Sequence, residues 1–243
     1  MDDPILELKD ITKIYGGLVK ANDHASFALA KGEIHALAGE NGAGKTTLMK
    51  VLYGLEKAEA GAIFLHGEKI EIRDSKDAIK LGIGMVHQHF MLIDDLNVAE
   101  NVVLGMEPRK RFGFDADKAR KLVKSLNVQY DMDLDPTEKC VNLSVAQKQK
   151  VEIMKVLARN ASIIILDEPT AVLTPLEVEA FFKQLIALKN SGKSIVIITH
   201  KIKEIMEICD RVTIMRMGKT IATYKVSDIT EAKISELMVG FEY

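Results

Sequence analysis

The sequence predicts an α/β fold, a mostly parallel sheet interleaved with helices, and three observations carry that prediction. Residues 145–215 alternate between helical and strand patterns: a helix over 145–158, an apolar strand at 163–166, a helix over 175–190, a strand at 195–198, a helix over 202–208 and a strand at 212–215. Strands separated by helices pair in parallel, because each helix carries the chain back along the sheet. Next, a strand pattern at 34–38 and a helix pattern at 47–52 flank a glycine-rich loop, the setting of a phosphate-binding turn. Finally, 243 residues with 47% apolar content suffice to bury a large core. The longest apolar runs are strand length, short of the roughly 18 to 20 residues that span a bilayer.

In chain order, residues 5–35 read as β-rich. Ile5, Leu6, Glu7 and Leu8 alternate, as do the residues at 25–29, and Lys31-Gly32 marks a turn before the strand at 34. A short strand at 62–65 ends at His66-Gly67-Glu68, a hairpin turn. From 98 to about 129 helical spacing dominates, with stripes of Ala99, Val102, Val103 and Met106, then Ala119, Leu122, Val123 and Leu126, so a mostly helical insert is expected. The charged stretch 115–124 reads as the solvated face of an amphipathic helix. No repeat or low-complexity segment appears, and the nearest approach to a linker, 107–111, is short and charged, which predicts one composite domain over 1–243.

Composition narrows the function classes. Lys and Arg total 33 against 35 Asp and Glu, a net charge of −2, which offers no electrostatic footprint for nucleic acid or an anionic lipid surface. A nucleic-acid partner is therefore disfavoured. The N-terminal Met1-Asp2-Asp3-Pro4 lacks the basic and apolar regions of a signal peptide, and this predicts a cytoplasmic location. Cys140 and Cys209 are isolated and read as reduced, structural residues. Eleven methionines spread along the chain read as core filler.

The chemistry concentrates in Gly39-Glu40-Asn41-Gly42-Ala43-Gly44-Lys45-Thr46-Thr47, two glycines five apart followed by lysine and a hydroxyl residue. Glycines let successive N–H groups turn inward onto phosphate oxygens at the positive end of the following helix. Lys45 then reaches the β- and γ-phosphates, and Thr46 holds Mg²⁺ through its hydroxyl. The chain is thus read as binding a nucleoside triphosphate. The strand at 163–166 stops at Asp167-Glu168, and strand C-termini are where a parallel sheet presents ligand-binding groups. Asp167 is the candidate for the Mg²⁺ shell; Glu168, expected to point elsewhere, is the candidate to polarise the attacking water. His200 ends a second strand and is placed to reach the γ-phosphate edge and the water. Gln88 follows a short apolar strand as a neutral ligand for Mg²⁺ or water. Tyr15 is a candidate for stacking on an adenine ring, against ordinary packing of an aromatic before Gly16-Gly17.

Taken in order and spacing, Tyr15, Gly39 to Thr46, Gln88, Leu143-Ser144-Val145-Ala146-Gln147, Asp167-Glu168 and His200 resemble the ATP-binding domain of the ABC transporter superfamily along nearly the whole chain. The resemblance implies a P-loop NTPase (RecA-like) core with a mostly parallel sheet, an N-terminal antiparallel β subdomain and a helical subdomain inserted at about 92–158. It implies ATP and Mg²⁺ as ligands and ATP hydrolysis coupled to transmembrane transport. Carried over by position, Tyr15 is similar to the adenine-stacking aromatic, Gln88 to the glutamine of the loop that meets the membrane partner, Glu168 to the catalytic base and His200 to the switch histidine. The implied partners are a second ATPase domain, fused or identical, transmembrane permease subunits and, indirectly, an extracytoplasmic substrate-binding protein. The implied location is peripheral, on the cytoplasmic face of the cell membrane.

Two departures stand out. Where the family usually has Leu-Ser-Gly-Gly-Gln, Val145 and Ala146 replace both glycines of the loop that contacts the opposing domain's ATP, and their side chains crowd that approach. Thr174 stands where an aspartate usually links the two sites. Within the superfamily, Val86-His87-Gln88-His89-Phe90-Met91-Leu92 and 168–175 look like importers of simple sugars and nucleosides, the first most similar to the purine-nucleoside type. Such proteins carry two tandem ATPase domains, and 237–243 resembles the end of the first, so the chain is expected to be an N-terminal half or a truncated piece. In a head-to-tail pair the two ATP sites are then unequal. The competing readings are a regulatory nucleotide-binding module with little hydrolysis and a non-transport ABC-type ATPase; the latter predicts basic extensions that this sequence lacks.

Overall fold

The computed structural model describes residues 4–111 and 113–240. Strands β1 (Leu6–Tyr15), β2 (Val19–Leu29), β4 (Ala60–Leu65) and β5 (Glu68–Ile70) form an antiparallel sheet in the order β2-β1-β4-β5. The predicted turn between β4 and β5 is present, with His66 and Gly67 both at positive φ. The second sheet contains β3 (Ile34–Ala38), β6 (Ile83–Val86), β9 (Ile163–Asp167), β10 (Ser194–Thr199), β11 (Arg211–Arg216) and β12 (Lys219–Lys225), in the order β12-β11-β3-β10-β9-β6. It is parallel except for β12.

Helix α1 (Lys45–Leu52) lies between the two sheets. The other helices are α2 (Ser75–Lys80), α3 (Val98–Val103), α4 (Ala116–Tyr130), α5 (Val145–Ala158), α6 (Pro175–Asn190), α7 (Ile202–Ile208) and α8 (Glu231–Val239). The apolar runs of the parallel strands follow from their burial on both faces. In β9, Ile163 and Ile165 join a core with α1 and the antiparallel sheet, whereas Ile164 and Leu166 join the larger core under α3–α8. Val196 and Ile198 of β10 divide from Ile195 and Ile197 in the same way. Both cysteines are free and buried.

Three helix starts are closed by reciprocal caps that the sequence spells out: Asn97 with Glu100, Ser144 with Gln147 and Thr174 with Glu177, the last followed by Pro175 at the first helical position. Helix α4 turns Ala119, Val123, Leu126 and Tyr130 inward and its charges outward, as expected. Helices α3 and α4 occupy the two apolar stripes of the insert expected to be mostly helical, and a short non-helical stretch separates them. The chain leaves α3 after Val103, passes Gly105 at positive φ and Pro108, and makes a two-stranded hairpin of β7 (Arg109–Lys110) and β8 (Gly113–Phe114) before α4. Pro and Gly break the periodicity, and the charged segment 107–111 belongs largely to this hairpin. Helices α2 and α8 and strand β12 go beyond the elements read from the sequence; β12 is an edge strand whose exposed and half-buried residues alternate.

Asn101, fully buried on α3, fastens the loop that leads from β6 into the helices. Its Oδ1 accepts from Ile93 N (2.8 Å), and its Nδ2 donates to Ile93 O (3.0 Å) and Asn97 O (3.2 Å). Asn101→Ala leaves the part-buried N–H and C=O of Ile93 without these partners, and a loss of about 1–3 kcal/mol of stability is expected, measured by urea unfolding.

Candidate functional site

Parallel register assembles the site. Thr199 pairs with Ala38 and Ile198 with Asp167, so β3, β10 and β9 end within one residue of each other. The glycine loop follows Ala38, Glu168 follows Asp167 and His200 follows Thr199. Residues more than 120 positions apart thus face one edge of the sheet, the edge where such sheets bind ligands.

The loop requires glycine at two positions. A Cβ on Gly39 would collide with Met215 O. Gly44 caps α1 at φ +94, and a Cβ there would collide with Ala21 O and the Asn22 side chain. Neighbouring elements grip the loop from both sides: Asn22 Nδ2 donates to Gly44 O (3.0 Å), and Gly218 N donates to Ala43 O (3.1 Å). Asn22 is fully buried, and its Oδ1 has no protein partner.

A cleft of about 680 Å³ opens over this loop, lined by Asn41, Gly42, Ala43, Gly44, Lys45, Thr46, Thr47, Gln88 and Glu168 among the expected residues. Lys45 is 5% exposed, and its Nζ donates to Gly39 O (2.8 Å) and Glu40 O (2.9 Å). Burial pushes this ammonium below the usual lysine range, with Glu168 and Asp167 pulling the other way. Thr46 donates to Asp167 Oδ1 (3.2 Å). Burial raises the Asp167 carboxyl above the usual range, opposed by the Thr46 hydrogen bond and reinforced by Glu168.

Glu168 departs from the alternation expected of a strand end. It takes φ +47, its N–H donates to Ile198 O (3.0 Å), and the left-handed turn brings its carboxylate to the same centre as Asp167, so that both act on Lys45. His200 Nδ1 and Glu168 Oε1 are hydrogen-bonded at 3.0 Å. His200 itself lines an adjoining cleft with Glu40, Asn41 and residues of α8.

Gly39, Glu40, Asp167 and His200 adjoin the cleft through hydrogen bonds to Lys45, Thr46 and Glu168, and two further groups of expected residues stand apart from its lining. Tyr15, at the end of β1, interacts through its hydroxyl with Thr47, and Lys13 Nζ lies 5.2 Å from its ring centre. The segment Leu143 to Gln147 is the start of α5. Ser144 Oγ accepts from Gln147 N (3.2 Å), Gln147 Oε1 accepts from Ser144 N (2.9 Å), and the Val145 side chain is 38% exposed. Sequence reasoning missed Val19, Lys20, Ala21, Met217 and Gly218, which line the same cleft from β2 and the β11–β12 turn. Only Gly218 carried a signal, as a turn residue.

The residues suit a magnesium-bound phosphate chain. Among the described residues no three His, Cys, Asp or Glu side chains form a metal cage. Mg²⁺ needs none, since one or two protein oxygens such as those of Thr46 and Asp167 suffice when phosphates and waters complete its shell.

This is a phosphate-loop nucleotide site on an α/β scaffold. The ABC transporter family model matches residues 22–171, and the chain belongs to that family. It is 50% identical over 238 residues to the guanosine import ATP-binding protein of Bacillus subtilis, covering 98% of this chain and 46% of that protein. It is 45% identical to the glucose import ATP-binding protein of Haloferax volcanii, covering 99% of this chain and 48% of that protein. The chain therefore spans about half the length of the curated relatives it matches. The crystal structure of an ATP-binding cassette of an ABC transporter in its ADP conformation superposes with a TM-score of 0.82 at 26% identity, over 98% of this chain and 95% of that one. Among the described residues no helix is long and apolar enough to cross a membrane.

Burial of the Asp167 carboxylate weighs against stability. A carboxyl whose pKa rises on folding stabilises the fold below its unfolded value of 3.8, and that contribution is lost as pH rises through the raised value. Asp167→Asn is therefore expected to raise the stability of the nucleotide-free protein by about 1 kcal/mol at pH 7, read by chemical denaturation.

Proposed function

We propose that the chain binds Mg-ATP and hydrolyses it as the nucleotide-binding part of an importer for simple sugars or nucleosides. The observation that carries the reading is the convergence of the Lys45 ammonium, the Thr46–Asp167 pair and Glu168 on one glycine cradle. The guanosine and glucose import functions of the relatives support the substrate class.

In this reading the inward N–H groups of Gly42 to Thr47 hold the phosphates, and Lys45 exchanges its carbonyl partners for phosphate oxygens. Thr46, Asp167 and Gln88 would hold Mg²⁺, which would supply neutralisation of the charge that develops on the phosphates. Glu168 accepts a proton from the attacking water, and His200 orients the Glu168 carboxylate through the bond between them. Tyr15 borders the base, and Ser144 with the first N–H groups of α5 serves the ATP of a second ATPase domain. Permease subunits at the cytoplasmic face of the membrane dock near Gln88 and the helices beyond it, where Met91, Ile93 and Val141 expose apolar side chains. An extracytoplasmic binding protein acts on the complex indirectly.

Glu168→Gln is expected to leave ATP affinity intact and lower turnover about 10²- to 10⁴-fold, measured by steady-state phosphate release. Unchanged turnover would favour the regulatory-module reading. Val145 and Ala146 predict weak pairing of two identical chains, so turnover should be slow and rise more steeply than linearly with protein concentration. A fast rate strictly proportional to concentration would contradict it.

A further inference from the structure

The loop that begins at Gln88 is held by a buried ion pair on α5 for which the proposed chemistry has no use. Glu152 is 5% exposed. Its Oε1 accepts from Met91 N at 2.5 Å, and its Oε2 lies 3.1 Å from Lys155 Nζ. Lys155 Nζ in turn donates to Met91 O (2.7 Å). One helix thus grips both the N–H and the C=O of a single loop residue with opposite charges. A buried ion pair is weak evidence for stability, since desolvation offsets much of its attraction, whereas two charges fixed on one residue's backbone define a position.

Further along, Lys148 of α5 pairs with Asp94 (3.1 Å), and Asp94 O accepts from Val141 N (3.1 Å) just before α5. The loop from 91 to 94 is therefore fastened to one helix and its entry. Only two residues, His89 and Phe90, separate Gln88 from Met91, three steps or at most about 10 Å of extended chain, so little slack remains between the cleft and the clip. Eight residues towards the start of α5 lies Ser144, about 12 Å along a rigid helix.

The geometry points to Glu152 and Lys155 as positioning residues that carry displacement of the Gln88 loop into the start of α5. Whatever contacts Gln88 from the cleft, or the exposed side chains of Met91 and Ile93 from outside, then moves Ser144. The inference rests on the proposed roles of Gln88 and Ser144. It adds that their link is this ion pair rather than the packing of the helices alone.

Hydrogen exchange by mass spectrometry on the chain carrying Glu168→Gln, in Mg-ATP and in Mg-ADP, tests it. Segments 88–94 and 143–150 should both differ between the two nucleotides. Adding Glu152→Ala should preserve the difference at 88–94 and shrink that at 143–150 by about threefold or more, with ATP affinity from a fluorescent-nucleotide titration changed less than threefold. Lys155→Met, which keeps the Met91 N–H bond, should give a smaller loss and provides the answer if Glu152→Ala fails to fold. An undiminished response at 143–150 in the folded variants, or no response there in the parent despite bound ATP, overturns the inference. Absence of ATP binding to the parent chain, in the same titration, overturns the proposed function and this inference with it.

Discussion

The site depends on the register of three parallel strands. Because Ala38 pairs with Thr199 and Asp167 with the adjacent Ile198, the phosphate loop, the acidic pair and His200 emerge side by side. A one-residue slip of β9 would invert its side chains and move Asp167 away from Thr46. That register is enforced by two separate cores, since alternate residues of β9 and β10 are buried on opposite faces of the sheet.

On this frame the fold holds buried charge that contributes little to its stability. Lys45 and Asp167 are both 5% exposed, and burial shifts each towards its neutral form. Their mutual attraction and the carbonyls around Lys45 offset part of that cost. The arrangement is intelligible as preorganisation, with donors and acceptors fixed before a highly charged ligand arrives. Strain adds to it at Glu168, whose left-handed backbone lets two consecutive carboxylates address one lysine.

The helices form the second half of the design. α5 starts at a reciprocal cap that uses Ser144 and Gln147, and it holds the loop from β6 through Glu152 and Lys155. Val145 lies between these functions with its side chain partly exposed, where the wider family usually has glycine. The same helix therefore joins the cleft to a surface facing a further ATP-binding domain in the proposed assembly.

Much of this was legible in the sequence. The alternation after residue 145 yielded the bounds of α5, α6 and α7 closely, because each helix begins at a cap or turn residue and each strand is an apolar run. The phosphate loop was legible because its glycines answer steric demands: Gly39 faces Met215 O and Gly44 faces Ala21 O. Local signals failed where the determining contacts are distant. Asn22 reads as an ordinary strand residue until the fold brings it to Gly44. Met217 and Gly218 belong to the cleft only because β12 folds back beside β11. Between α3 and α4 the unread feature was the β7–β8 hairpin, whose two-residue strands are too short to carry a periodicity. The sequence by itself determined which groups are the candidates for the chemistry and where most helices and strands lie, since these follow from residue type and near-neighbour spacing. Only the tertiary structure decided that Asp167 and Glu168 converge on Lys45, that Asn22 grips the loop and that Glu152 clips Met91. Such contacts arise from strand register and helix packing, which bring together residues separated by tens of positions along the chain.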